Sequence, residues 1–251
     1  MRRRSLVIAA TVAGPAAGQA ALRVAWEDYP PYQMSGADGQ PQGLDLLLTN
    51  AVLRQAGLSP SWIRMPWARQ LLSLQDGSLD LMVSASQLPE REAYALWTEP
   101  YRPKLGALLA LRQPARPPQH LRELATQPVR IGMIRGTSYP GEFVEAQRSP
   151  GFARRLLPLR HLEQGLELLR KGQLDYLIED PVAMQYVVAQ QGRPPLAVVR
   201  WMYRGESRLM LARRSEEAQP GLLARLNAAI ASLRDSGELR RLLAGTPGLD
   251  A

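Results

Sequence analysis

The sequence predicts an α/β fold of two lobes of similar build, each a mixed sheet flanked by helices, joined by a hinge of two crossings. Three observations predict it. Residues 22–84 alternate strand and helix patterns in the order β-α-β-α-β. Residues 129–178 repeat that alternation. The two stretches also share an echo, in which Leu71–Asp80 parallels Leu166–Asp175, with Gly77 matching Gly172 and Asp80 matching Asp175. Each copy reads as a helix end, a Gly for the left-handed turn, and a buried strand. Two widely separated copies suggest two lobes rather than a solenoid, which would need several tighter repeats.

The elements follow in order. Leu22–Trp26 alternates as a strand and runs into Asp28-Tyr29-Pro30-Pro31-Tyr32, where two prolines without N–H groups end it. Residues 35–43 form a turn-rich loop. Leu44, Leu47, Leu48, Ala51 and Val52 then fall at helical spacing, with Gly57 as the stop. A strand is expected near Ser59–Met65. A helix opening on Pro66 runs to Gly77, and Leu79–Ser84 is the next strand. Leu105–Leu111 reads as a strand leaving the first lobe, and residues 113–119 as a proline-rich surface segment. In the second lobe, strands are expected at Val129–Ile134, Arg155–Leu159 and Leu174–Ile178, with helices near Gly141–Gln147 and Leu162–Lys171. Leu196–Met202 and Arg208–Leu211 are strand-like, and the last 35 residues are helical and pack back on the first lobe. The expected boundaries are residues 21–108 with 206–251 for the first lobe and 109–205 for the second. A cleft between hinged lobes is a natural binding site.

Composition narrows the function. The chain has 251 residues, 45% apolar and 22% charged, enough for one large or two ordinary domains with real cores. It has no cysteine and only two histidines, His120 and His161, so a thiolate or imidazole metal site is hard to assemble. Past the N-terminus no run of about 20 apolar residues exists to span a bilayer. The N-terminus itself, with Arg2, Arg3 and Arg4, an apolar stretch from Leu6 to Ala13, then Gly18 and Ala20, reads as a secretory signal peptide over residues 1–20. Cleavage there lowers the formal charge from +8 to +5. The basic residues are scattered, and all but Lys104 and Lys171 are Arg. Neither the amount nor the pattern supports nucleic-acid binding.

No motif of an enzyme class is present: no G-x-S-x-G, no phosphate loop ending in Gly-Lys-Ser/Thr, no His-Glu-x-x-His. The binding candidates sit at strand ends, where α/β folds place ligands. Tyr29 and Tyr32 offer rings to stack on a ligand or on their own lobe, and Trp67 offers a second wall. Ser84 and Ser86 end a strand ahead of Arg91, whose guanidinium fork suits a carboxylate. Thr137 and Ser138 lie at a strand-to-helix turn that suits an anion. Asp180 either holds a ligand ammonium or caps the helix ahead of Pro181. Arg69 either adds a second positive charge to the cleft or lies exposed on its helix.

At these residues the chain resembles the bacterial extracellular solute-binding proteins of polar amino-acid ABC importers. The resemblance rests on Tyr29-Pro30-Pro31-Tyr32, Gly43-Leu44-Asp45, Leu74 with Gly77-x-Leu79-Asp80, and Pro89-Glu90-Arg91. It continues through Trp97-Thr98-Glu99-Pro100-Tyr101, Gly136-Thr137-Ser138, Asp175 and Glu179-Asp180-Pro181-Val182-Ala183. It implies a periplasmic binding fold of the type II kind, closing on one small-molecule ligand. Tyr29 and Trp67 would sandwich the ligand side chain, Arg91 with Ser138 would hold the α-carboxylate, and Asp180 the α-ammonium. It further implies a monomer in the periplasm, delivering its ligand to an ABC permease, with no cofactor and no chemistry. Two departures stand out. The segment from Asp80 to Arg91 is one residue shorter than usual, so hydroxyls supporting Arg91 must come from Ser84 or Ser86. Pro66-Trp67-Ala68-Arg69 resembles a divergent branch. Two other functions occur with this resemblance: a cyclohexadienyl dehydratase, for which Glu27, Asp28 or Glu179 would supply the acid, and a sensing input for a separate membrane protein.

Overall fold

A computed structural model describes residues 21–135, 137 and 139–246; the expected signal peptide and Ser138 lie outside these. The chain opens with β1 (Leu22–Trp26), a short ribbon of β2 (Met34–Ser35) and β3 (Pro41–Gln42), and α1 (Leu44–Gln55). The ribbon lies where turn chemistry alone predicts a loop. Next come β4 (Pro60–Arg64), α2 (Trp67–Asp76), β5 (Leu81–Ala85), β6 (Ala95–Trp97) and β7 (Arg102–Ala110). The second lobe carries β8 (Ile131–Ile134), α3 (Glu142–Gln147), α4 (Pro150–Ala153), β9 (Leu156–Leu159), α5 (Leu162–Arg170), β10 (Tyr176–Glu179) and α6 (Pro181–Gln190). The long β11 (Ala197–Ala212) returns the chain, and α7 (Arg213–Ala218), α8 (Leu222–Asp235) and α9 (Glu238–Leu243) finish it.

The strands form a mixed sheet in the order β4-β1-β5-β11-β7-β10-β8-β9, with β6 also pairing β11. The parallel pairs β1–β4, β1–β5, β8–β9 and β8–β10 each need a helical crossover, which is why their strands read as short apolar runs between helices. The passage between lobes is a two-stranded ribbon. Arg102–Gly106 of β7 pairs only with Tyr203–Ser207 of β11. β5 takes over β11 at Arg208, and β10 takes over β7 at Ala107. Sequence alone splits β11 into two strands because residues 203–207 are polar; pairing with β7 makes it one.

The sheet is covered on both faces. Leu48 and Val52 of α1 and Leu226 and Ile230 of α8 pack on Val24 and Leu81, in a cluster that continues past Leu109 to α5 and α6. Leu74 of α2 covers Met82 and Met210 on the opposite face of the first lobe. Phe143 and Phe152 cover Leu108 and Ile178 in the second. Each such side chain contributes about 1.5–3 kcal/mol on burial.

The echo has a structural meaning. Gly77 and Gly172 adopt the left-handed conformation, with φ of 81° and 64°. Arg23 clasps the first copy: its backbone N–H donates to Asp80 Oδ2 at 2.8 Å and its guanidinium to Asp80 Oδ1 at 2.7 Å and to the Gly77 carbonyl at 2.9 Å. Arg130 clasps the second: its backbone N–H donates to Asp175 Oδ2 at 2.7 Å and its guanidinium to the Gly172 carbonyl at 3.0 Å. In both lobes an Arg just before or within the first strand locks the helix–Gly–strand turn.

Candidate functional site

The Tyr29–Tyr32 loop is shaped by what it leans on. The Pro30–Pro31 peptide is cis. Leu44 and Asp45 donate their N–H groups to the carbonyls of Pro31 and Tyr32, so the start of α1 is docked on the loop. Gly43, at φ 118°, makes this approach possible, since a Cβ there would lie 2.4 Å from the Tyr32 carbonyl oxygen. The loop, the ribbon and the ends of β5, β8 and β10 enclose a cavity of about 670 Å³. That is ample for a small metabolite.

The floor of this cavity is charged. Arg102, on the ribbon, is buried beside the fully buried Asp45. Its Nε donates to Asp45 Oδ1 at 2.6 Å and its Nη2 to Oδ2 at 2.8 Å, a bidentate pair. Tyr101 OH donates to Asp45 Oδ1 at 2.8 Å. The Arg102 guanidinium lies 3.9 Å above the Tyr32 ring, and its Nη2 also donates to Ser84 Oγ at 2.8 Å. Ser84 itself is held at φ 57°, an uncommon conformation for a residue with a side chain. Beside it the β5–β11 register shifts. Two residues along the ribbon, on the same face as Arg102, Lys104 Nζ donates to Ser86 Oγ at 3.0 Å. Burial, then the neighbouring Arg102 charge, lowers Lys104 to about 8, so it is still protonated at neutral pH.

Glu179 and Asp180, both buried, line the same cavity. Glu179 Oε1 accepts from Tyr29 OH and from the Asp180 backbone N–H, each at 2.8 Å. Its Oε2 accepts from Tyr139 OH at 3.3 Å. Burial outweighs these bonds and pushes the carboxyl up to about 7. Asp180 Oδ1 caps α6 through the N–H groups of Val182 and Ala183, and its Oδ2 accepts from Tyr32 OH at 2.9 Å. Burial raises Asp180 as well. Both tyrosines belong to the first lobe and both carboxyl groups to the second, so these bonds tie the lobes across the cleft.

The sequence candidates divide as follows. Tyr29, Trp67, Ser84, Ser86, Arg91, Thr137 and Asp180 all line the cavity. Tyr32 does not; it lies buried behind Tyr29, with ring centroids 5.6 Å apart and stacked. Arg69 is exposed and outside the cavity wall, because two residues turn it about 200° around α2 from Trp67. The second cation of the cleft is therefore not Arg69. The serine hydroxyls serve Arg102 and Lys104 rather than Arg91, which reaches only the Ser86 carbonyl, at 3.5 Å, and lies 5.6 Å from the Trp67 ring centroid. Sequence reasoning passed over Arg102 and Lys104, and Glu179 was not distinguished from Glu27 and Asp28. Of these, Glu27 is taken up by structure, its Oε2 accepting from the Trp67 N–H at 2.8 Å at the start of α2. Asp28 pairs with Arg64. Alternation was the available signal for the ribbon: Arg102, Lys104 and Gly106 share one face. Among the described residues no cluster of three or more His, Asp or Glu is placed to hold a metal ion.

The family model for bacterial extracellular solute-binding proteins, family 3, matches residues 22–245. An arginine-binding periplasmic protein of Mannheimia haemolytica is 28% identical over 83 residues, 33% of this chain and 35% of that protein, so the match spans about a third of the relative's length. Among solved structures, a histidine kinase sensor domain with similarity to periplasmic binding proteins superposes with a TM-score of 0.75 at 23% identity, over 91% of this chain and 96% of the other. An ancestral arginine-binding protein bound to arginine gives 0.73 at 18% identity, over 92% and 99%. At these identities the structures establish a shared two-lobed periplasmic binding fold.

Proposed function

We propose that this chain, which belongs to the bacterial extracellular solute-binding proteins, family 3, captures one small polar solute in the cleft between its lobes and delivers it to an ABC permease. The solute is an amino acid or a related carboxylate. The observation that carries this reading is the cavity of about 670 Å³ at the ribbon, lined by the cations Arg91 and Lys104 and the carboxyl groups Glu179 and Asp180. The protein acts in the periplasm as a monomer once residues 1–20 are removed. Its lobes comprise residues 21–108 with 206–251, and 109–205. Among the described residues no helix is long and apolar enough to cross a membrane.

The test is a thermal-shift screen of the chain without residues 1–20 against amino acids, small carboxylates and amines. A ligand at 100 times its Kd stabilises the native state by about 2.7 kcal/mol. A saturable shift that Arg91→Ala weakens by about 2–4 kcal/mol supports the reading. No shift from any class refutes it. One observation favours a second function: Glu179, a buried carboxyl standing at about 7 in the cavity, is suited to donate a proton. Phenylpyruvate formed from prephenate, and lost in Glu179→Gln, would establish a dehydratase instead.

A further inference from the structure

The two buried carboxyl groups lining the cavity, Glu179 and Asp180, are already engaged. Asp180 receives two backbone N–H groups and the Tyr32 hydroxyl. Glu179 receives the hydroxyls of Tyr29 and Tyr139 and the Asp180 N–H. A cation is also in place before any ligand arrives. Lys104 projects from the ribbon into the same cavity and feels the charges of both Glu179 and Asp180. A ligand ammonium brought to these carboxylates would meet the Lys104 ammonium, and like charges in a poorly solvated site repel strongly.

The donors are not engaged to the same degree. The Lys104 ammonium has three N–H groups and makes one hydrogen bond, to Ser86 Oγ. Arg91 has five N–H groups and one long contact, to the Ser86 carbonyl. Both line the cavity. Around Ser86 the cavity therefore offers unspent donors from two cations, which is the pattern an anion completes.

We infer that Lys104, which meets Ser86 together with Arg91, gives the cavity a carboxylate subsite with two cations and a standing positive charge, so that the cleft selects small carboxylates without an α-ammonium over amino acids. The ligand carboxylate bonds to Lys104 Nζ and to the Arg91 guanidinium. This deepens the solute-binding reading and rests on it.

Titration calorimetry tests it with four probes, succinate, 2-oxoglutarate, glutamate and arginine, on the unaltered chain, Lys104→Met and Lys104→Arg. The unaltered chain is expected to bind succinate or 2-oxoglutarate at least tenfold more tightly than either amino acid. Lys104→Met should weaken that carboxylate at least tenfold and tighten an amino acid relative to the unaltered chain. Lys104→Arg should keep the carboxylate preference, which separates loss of charge from loss of fold. Glutamate or arginine binding as tightly as the carboxylates overturns the inference and leaves solute capture standing. So does a Lys104→Met chain with unchanged selectivity. Silence from all four probes also overturns it, and the wider screen then decides whether solute capture survives.

Discussion

The buried Asp45–Arg102 pair supports the most direct test of how this molecule is held together. Asp45→Asn removes the charge and keeps the shape. Asp45 is 0% exposed and Arg102 4%, so solvent cannot take over from the lost partner. Three charge-assisted bonds are affected, from Arg102 Nε, Arg102 Nη2 and Tyr101 OH. Breaking a buried pair from one side costs about 3–5 kcal/mol, because the other charge is stranded. For a chain of this length each kcal/mol moves Tm by about 2–4 °C, so a drop of about 6–20 °C is expected. Calorimetric unfolding of the unaltered and Asp45→Asn chains reads it. The double change Asp45→Leu with Arg102→Met strands no charge and should cost less than Asp45→Asn alone. A loss under about 1 kcal/mol for Asp45→Asn, the scale of a surface pair, would refute the reasoning.

Three further outcomes follow from the same geometry. Glu179 stands at about 7 in the folded chain against an ordinary 4.5, so the native state keeps a proton that the unfolded chain releases between those values. Its contribution is full below pH 4.5 and fades as pH rises through about 7. The urea midpoint of Glu179→Gln should therefore fall less than that of the unaltered chain over that interval, and equal slopes would contradict the assignment. Asp80 runs the other way. Burial pushes it up, but hydrogen bonds from Arg23 and Ser215 hold it below 3.8. Its contribution is present above that value and lost as acid protonates the folded form, so Asp80→Asn should be less stable at neutral pH and converge with the unaltered chain in acid. Gly106→Ala would place a Cβ 2.1 Å from Tyr203 Cε1, an overpacking that costs about 1–3 kcal/mol. Adding Tyr203→Ser should restore much of the loss in thermal unfolding; failure to do so would put the strain elsewhere.

What was legible in the sequence is what local periodicity controls. The helices α1, α2 and α5, and the Gly77 and Gly172 turns that end the echo, follow from spacing and from the special backbone of glycine. The clasps at Arg23 and Arg130 were not legible, because each joins residues 42 or more apart in the chain. Asp45 in the first turn of α1 reads as a complement to the helix dipole. Its partner is 57 residues away, and no local rule points there. Arg102 and Lys104 escape the sequence for a related reason: the apolar run that marks the strand begins only at Leu105. They are drawn inward by Asp45, Tyr32, Ser84 and Ser86, which meet that face of the ribbon. Asp180 shows the limit from the opposite side. Its sequence supports two readings, ligand partner and helix cap, and the structure shows the cap made while the residue still lines the cavity.

The ribbon between the lobes has a mechanical consequence. Five paired positions, from Arg102 opposite Ser207 to Gly106 opposite Tyr203, connect the two halves without a third strand on either side. Such a strip behaves as a leaf spring. Its ladder resists shear in the plane of the strands, while bending across that plane stretches no hydrogen bond appreciably. The register shift between Trp201 and Tyr203 lies at one end and the shift between Arg208 and Met210 beyond the other, and such irregularities bend a strand locally, so the strip is flanked by two built-in bends. Arg102 and Lys104 are mounted on the spring itself. Any flexing that swings one lobe toward the other also rotates the two charges at its centre, so the deflection of the hinge and the aim of its cations are one mechanical coordinate.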